Sequence, residues 1–327
     1  MFKKIKTLHL ALVFGVLLLV VFFVESSEET KSKGTFNKDL VNVEIDKVSA
    51  IKILTKAKNE VDLIKSDGSW QIKLGNSKFG KADDEKIVSA IDQIAIIKPS
   101  NLVSTDKEQY NEYQVDTSGV RVRVFEGDKL TLDIILGKFS YKSQREMYTY
   151  IRLTDAAEVY SVEGLLDITF NRQPEFWRYD VIIDSDPEDW TKLTYTYPGD
   201  SSFTLELKEN GWFLDGIIQA DSNKVIKKYF PRLKYLSNSN FADDVNSSSL
   251  RSPLMSLKID VDGEEPIVIN GYPSITDDSS FVITSSLNID AAFTVKRSDA
   301  ICKKLFPRKI RFIPGEIKVT DIQIGTS

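Results

Sequence analysis

The chain has 327 residues, is 42% hydrophobic and 28% charged, and carries a formal net charge of −5 at pH 7. With Lys3, Lys4 and Lys6 set aside, 40 basic residues face 48 acidic ones. That leaves −8 on everything from position 25 onward and excludes nucleic acid as a partner held by charge.

The three lysines precede an apolar run from Leu8 to Val24, in which the single histidine, His9, sits. At about 1.5 Å per residue the run is roughly 26 Å long as a helix, the short end of a bilayer span. It exits into Glu25-Ser26-Ser27-Glu28-Glu29 with no small-x-small cleavage pattern, and no cysteine follows it for lipidation. Residues 1–24 are therefore expected to form an uncleaved transmembrane signal anchor, with a cleaved signal as the alternative. The positive-inside rule places the lysines in the cytoplasm and the bulk of the chain on the periplasmic side of a bacterial inner membrane. Residues 25–40, rich in Ser, Glu, Lys and Thr, read as a solvated linker.

Beyond the linker, β-branched and aromatic residues predict strands at 47–56, 60–65 and 69–74, with turns at Lys58-Asn59 and Asp67-Gly68. A helix over 84–97 presents Ile87, Ile91 and Ile94 on one face, with Asp83 at its start. A short helix around 107–113 follows, then strands near 120–126, 130–136, 147–153 and 158–162 and a helix at 163–171. The pattern then recurs. Ser66-Asp67-Gly68-Ser69-Trp70 matches Lys208-Glu209-Asn210-Gly211-Trp212, and Ala82-Asp83 matches Ala220-Asp221. Leu136-Gly137 matches Asn270-Gly271, and Asp155-Ala156-Ala157 matches Asp290-Ala291-Ala292. A helix carrying Val225, Tyr229, Leu233 and Leu236 and another at 298–306 complete the second copy. These offsets predict an α+β fold: two tandem duplicated domains of antiparallel sheet with helices, at 41–175 and 176–315, before a tail at 316–327.

The chemistry sought is mostly absent. Without histidine beyond the anchor, Ser-His-Asp and Cys-His systems and histidine-ligated metal sites are excluded, and one cysteine excludes an internal disulfide or a cysteine-rich zinc site. Cys302 reads as a small buried hydrophobe. Gly75 to Ala82 approaches a phosphate loop, but Ala82 stands where magnesium needs Ser or Thr, and the acids at 83–85 repel phosphate; it reads as a connecting loop. The run Asp184 to Asp189 lacks the glycine of a calcium loop and reads as an interdomain turn. Asp243-Asp244, Glu264-Glu265 and Asp277-Asp278 read as surface carboxylates, and Trp70 and Trp212 as core residues. No catalytic, cofactor-binding or metal residue is expected.

Gly68-Ser69-Trp70, the Ala82-Asp83 helix start, Leu136-Gly137 and Tyr148-x-Tyr150-Ile151-Arg152 running to Val159-Tyr160 together resemble the bacterial domain-of-unknown-function family numbered 4340. The resemblance covers roughly residues 47–315. It implies an extracytoplasmic companion of a gliding-type ABC transport system and supplies no catalytic residues. The second copy departs from the first, with Phe281-Val282-Ile283-Thr284 in place of the Tyr-x-Tyr-Ile-Arg run. The expected function is a non-enzymatic, membrane-anchored accessory protein that binds protein subunits of an envelope transport complex through an exposed apolar or β-edge patch. The alternatives are a glycan, peptide or small-molecule binding module lined by Tyr148, Tyr150, Trp177 and Tyr179, and a carboxylate-dependent envelope hydrolase.

Overall fold

The computed structural model describes residues 40–75, 78–143, 146–245, 250–275 and 277–314. The anchor expected at 1–24, the linker up to residue 39 and the tail at 316–327 lie outside the described residues. Among the described residues, no helix is long and apolar enough to cross a membrane.

The chain runs β1 (Val48–Leu54), β2 (Glu60–Ser66), β3 (Ser69–Leu74), β4 (Lys78–Lys81), α1 (Asp84–Ala95), β5 (Pro99–Ser104), α2 (Tyr110–Tyr113), β6 (Val120–Glu126), β7 (Lys129–Ser143), β8 (Glu146–Leu153), β9 (Val159–Glu163) and α3 (Leu166–Phe170). It continues through β10 (Val181–Asp184), β11 (Trp190–Thr196), β12 (Phe203–Lys208), β13 (Gly211–Leu214), β14 (Ile218–Gln219), α4 (Ser222–Lys224), α5 (Phe230–Leu233) and β15 (Tyr235–Ser237). Last come β16 (Met255–Val261), β17 (Ile267–Pro273), β18 (Ser280–Ser285), β19 (Asn288–Lys296) and α6 (Ala300–Leu305). The architecture is mostly antiparallel sheet with short helices, as expected.

Packing divides the described residues into two units, 40–66 with 85–173 and 67–84 with 174–314. In the first unit the strands lie in the order β2-β1-β6-β7-β8-β9-β5, antiparallel throughout. Alternation carries Ile51 and Ile53 of β1 and Val120, Val122 and Val124 of β6 into the interior. Helix α1 buries Ile87, Ala90, Ile91 and Ile94, the i, i+3, i+4, i+7 spacing of one helical face. The β6–β7 turn is set by Glu126 facing Lys129, which leaves Gly127 and Asp128 as the two-residue loop. Gly127 has φ 59°, the positive value that the first position of a type II′ turn requires.

In the second unit the order is β14-β13-β12-β11-β16-β17-β18-β19, with β10 and β15 as a separate antiparallel pair. Its core packs Trp190, Trp212, Tyr195, Tyr229, Phe230, Phe293 and Phe312. The β3–β4 hairpin joins this unit through the Asp83 amide donating to Trp177 O at 2.9 Å and the Tyr179 amide donating to Lys81 O at 3.0 Å.

Several elements differ from expectation. Within the segment expected as a loop at 75–82, Lys78–Lys81 form a hairpin arm: Leu74 faces Lys78 and Gln71 faces Lys81 across β3 and β4. Strand β5 was not foreseen because Ser100 and Asn101 break any apolar alternation. It is an edge strand, where a proline first residue costs no ladder bond. The helix expected through Val225 and Leu236 is broken. A π-helical turn at Val225–Tyr229 separates α4 from α5, and Pro231 has no N–H to bond back to residue 227, so Leu236 falls in β15. Asp155 to Ala157 precede β9, whereas Asp290 to Ala292 lie inside β19.

Candidate interaction site on the first unit

Strand β7 runs seven residues past its expected end at 136, and its register against β8 shifts between Leu136 and Phe139. Beyond that bulge Phe139 faces Thr149, Ser140 faces Tyr148 and Tyr141 faces Met147. Directly opposed residues share a sheet face, so Phe139, Tyr141 and Met147 lie on one side and Ser140, Tyr148 and Tyr150 on the other. The first three are solvent-exposed at 46%, 73% and 39%. Single exposed apolar residues are ordinary, but three on one face of one hairpin form a patch. Thr149, on the same face, is fully buried: its hydroxyl donates to Gly164 O at 2.8 Å and accepts from the Leu166 amide at 3.0 Å, which ties the hairpin to the start of α3.

The opposite face carries a tyrosine ladder. The rings of Tyr148 and Tyr150 meet edge to face at 5.8 Å, and Tyr150 tilts against Tyr113 of α2 at 4.8 Å. Burial raises the Tyr150 phenol above its usual value, so it is neutral at physiological pH. The ladder borders a cavity of about 590 Å³ lined also by Asn101, Ser161, Glu146 and Glu163. Glu163 faces Tyr148 across the β8–β9 pair, and Glu146 lies two residues before Tyr148 on the same face. The cavity therefore offers aromatic faces and acceptor oxygens, with no cation in its lining among the described residues.

Arg152, the last residue of the tyrosine motif, is structural. Its Nε donates to Val115 O at 3.0 Å, and Nη1 donates to the carbonyls of Leu153, Thr154 and Ala156 at 3.0–3.1 Å. Its guanidinium lies 4.4 Å from the Tyr110 ring centroid, and Tyr110 in turn donates to Ala157 O at 2.9 Å. One arginine thus holds α2 and the 153–157 turn in place beside the ladder.

The other sequence candidates fall elsewhere. Trp177 and Tyr179 belong to the second unit, while Tyr148 and Tyr150 belong to the first; Trp177 is buried. Trp70 and Trp212 are both buried, as core residues should be. Asp186 accepts from the Glu188 amide and pairs with Lys234, so the acidic run is a capped turn. The hydroxyls of Ser279 and Ser280 donate to Asp277 and lower its pKa to about 2, as in a surface turn. Asp221 caps α4, accepting from the Asn223 and Lys224 amides. Among the described residues no three His, Cys, Asp or Glu side chains are grouped to hold a metal ion. Sequence reasoning missed the exposed hairpin patch; Phe139-Ser140-Tyr141 alternation beyond Gly137 was the available signal.

A family profile described as "Domain of unknown function (DUF4340)" matches residues 76–253, more than half of the chain. No curated protein and no solved structure matches it.

Proposed function

The chain belongs to the DUF4340 family, and from that membership we propose that it is a non-enzymatic accessory protein of the bacterial envelope, anchored by residues 1–24 in the inner membrane with its bulk on the periplasmic side. Its role is to bind protein subunits of a gliding-type ABC transport system. The observation that carries this reading is the exposed patch of Phe139, Tyr141 and Met147 on the β7–β8 hairpin. A projecting apolar face of this kind is stabilised by covering it with a partner. A duplicated architecture is part of the same reading. The order β2-β1-β6-β7-β8-β9 in one sheet parallels β12-β11-β16-β17-β18-β19 in the other, which supports the tandem copies read from the sequence.

Crosslinking the full-length protein in its own membranes, followed by affinity capture and mass spectrometry, tests the proposal. Stoichiometric recovery of a permease or auxiliary subunit is the expected outcome, with recovery falling at least five-fold for Tyr141→Asp with Phe139→Asp. Recovery of the bait alone would sink it. The tyrosine-lined cavity favours a second reading, a peptide or glycan binding module; under that reading a ligand panel raises the melting temperature and Tyr148→Ala abolishes the shift.

A further inference from the structure

The stretch from Lys296 to Arg311 departs from the acidic character of the rest of the chain. It holds seven basic residues, Lys296, Arg297, Lys303, Lys304, Arg308, Lys309 and Arg311, against the single acid Asp299. The same stretch borders a cavity of about 560 Å³ in the second unit, within the size range of small-molecule sites. Its walls are mostly apolar, formed by Met255, Phe281, Phe306, Pro307 and Ile310. The polar groups among them are largely committed. The Tyr197 hydroxyl donates to Pro307 O at 2.7 Å, and Lys309 pairs with Asp215. Burial raises the pKa of the Cys302 thiol, so it stays protonated and lines the wall as a small apolar group.

Arg297 and Arg308 line the cavity, both are exposed, and neither is ion-paired among the described residues. The Arg297 guanidinium lies 4.7 Å from the centroid of the Phe281 ring, which holds its fork of donors at the edge of the apolar wall. Beside them Ile310 is 73% exposed, an apolar side chain presented to solvent between Lys309 and Arg311. Gly271 packs closely against two of the wall residues. A Cβ there would sit 3.0 Å from Met255 Cγ and 3.2 Å from Phe306 Cζ, so any larger residue pushes on both.

We infer that this cavity binds an amphiphile with an anionic head group, its apolar body between Phe281, Met255 and Phe306 and its head on Arg297 and Arg308. A bidentate guanidinium contact suits a carboxylate or phosphate, and the apolar wall suits an acyl chain. Such a molecule comes either as a free single-chain amphiphile or from an anionic lipid of the bilayer.

The test uses the full chain in its own membranes and a dodecanoate carrying a terminal diazirine. After illumination and digestion, label is expected on the peptides of Met255, Phe281 or Phe306, suppressed by excess dodecanoate. The neutral diazirine-bearing dodecanol should label at least five-fold less. The double variant Arg297→Gln with Arg308→Gln should lower acid labelling at least five-fold while leaving alcohol labelling unchanged, and Gly271→Ala should lower both. A phosphatidylglycerol bearing the diazirine on its acyl end separates the sources: label from the free acid alone assigns a free amphiphile, and label from the phospholipid assigns bilayer lipid. Equal labelling by acid and alcohol on the unaltered chain overturns the inference. So does full labelling of the double variant, or label confined to peptides outside the cavity.

Discussion

Arg178 is 3% exposed, yet its charge is fully used. Nη1 and Nη2 donate to the two oxygens of Asp243 at 2.7 and 2.8 Å, and the guanidinium lies 3.4 Å from the Phe241 ring centroid. Its backbone also bridges Ala82, just after β4. Removing the partner of a buried cation is costlier than removing both, because the charge is left without compensation. Asp243→Asn is therefore expected to destabilise the second unit by about 3 kcal/mol, the lower end of the roughly 3–5 kcal/mol for breaking a buried pair because Asp243 is half exposed. Denaturant unfolding in mild detergent checks it, and Arg178→Lys should also lose stability because an ammonium cannot form the fork. A loss under about 0.5 kcal/mol would place the pair among ordinary surface salt bridges. None of this was legible in the sequence. Asp243-Asp244 read as a surface pair because Arg178 lies 65 residues away, and no local pattern links a cation to a carboxylate at that distance.

Elements show a different balance. The first-unit strands β1, β2 and β6 fall within two residues of their expected bounds, since alternation along a half-buried strand is written locally. Strand β7 is longer than the 130–136 expected, because a glycine after Leu136 reads locally as the end of a strand. Instead Gly137 serves a close approach: a Cβ there would lie 2.2 Å from Tyr113 O and 2.9 Å from Val115 Cγ1. The strand passes directly beneath α2, and only glycine fits. Gly137→Ala is expected to cost about 1–3 kcal/mol through overpacking, and to move Tyr113 off Tyr150. A lower urea midpoint at unchanged slope would register the loss. A midpoint equal to that of the parent would mean that α2 yields without strain. Helix α1 was readable in both position and buried face, whereas the helix broken by the π-turn was not. Apolar spacing alone cannot report that Pro231 interrupts the backbone ladder.

At the scale of the molecule, chain order and packing order diverge. Residues 67–84 pack with 174–314, so the second unit is discontinuous in sequence. A fragment starting at Pro174 lacks the hairpin whose Lys81 carbonyl and Asp83 amide bond to Tyr179 and Trp177, and whose Lys81 ammonium lies 3.8 Å from the Tyr179 ring centroid. That fragment should melt several degrees below the same unit in the full chain, and supplying residues 67–84 through a flexible linker should restore much of the loss. Equal melting temperatures would show that the hairpin contributes nothing to the unit's stability. The sequence by itself determined what depends on near neighbours and on composition. Strand alternation, the α1 face, the Asp221 cap, the family resemblance and the lack of histidine beyond position 9 are all of this kind. Only the tertiary structure decided the exposed face of the β7–β8 hairpin, the Arg178–Asp243 pair, the apolar-walled cavity beside Arg297 and the unit to which the 67–84 hairpin belongs. These depend on contacts between residues distant in the chain, where burial and pairing are set by packing and leave no periodic trace.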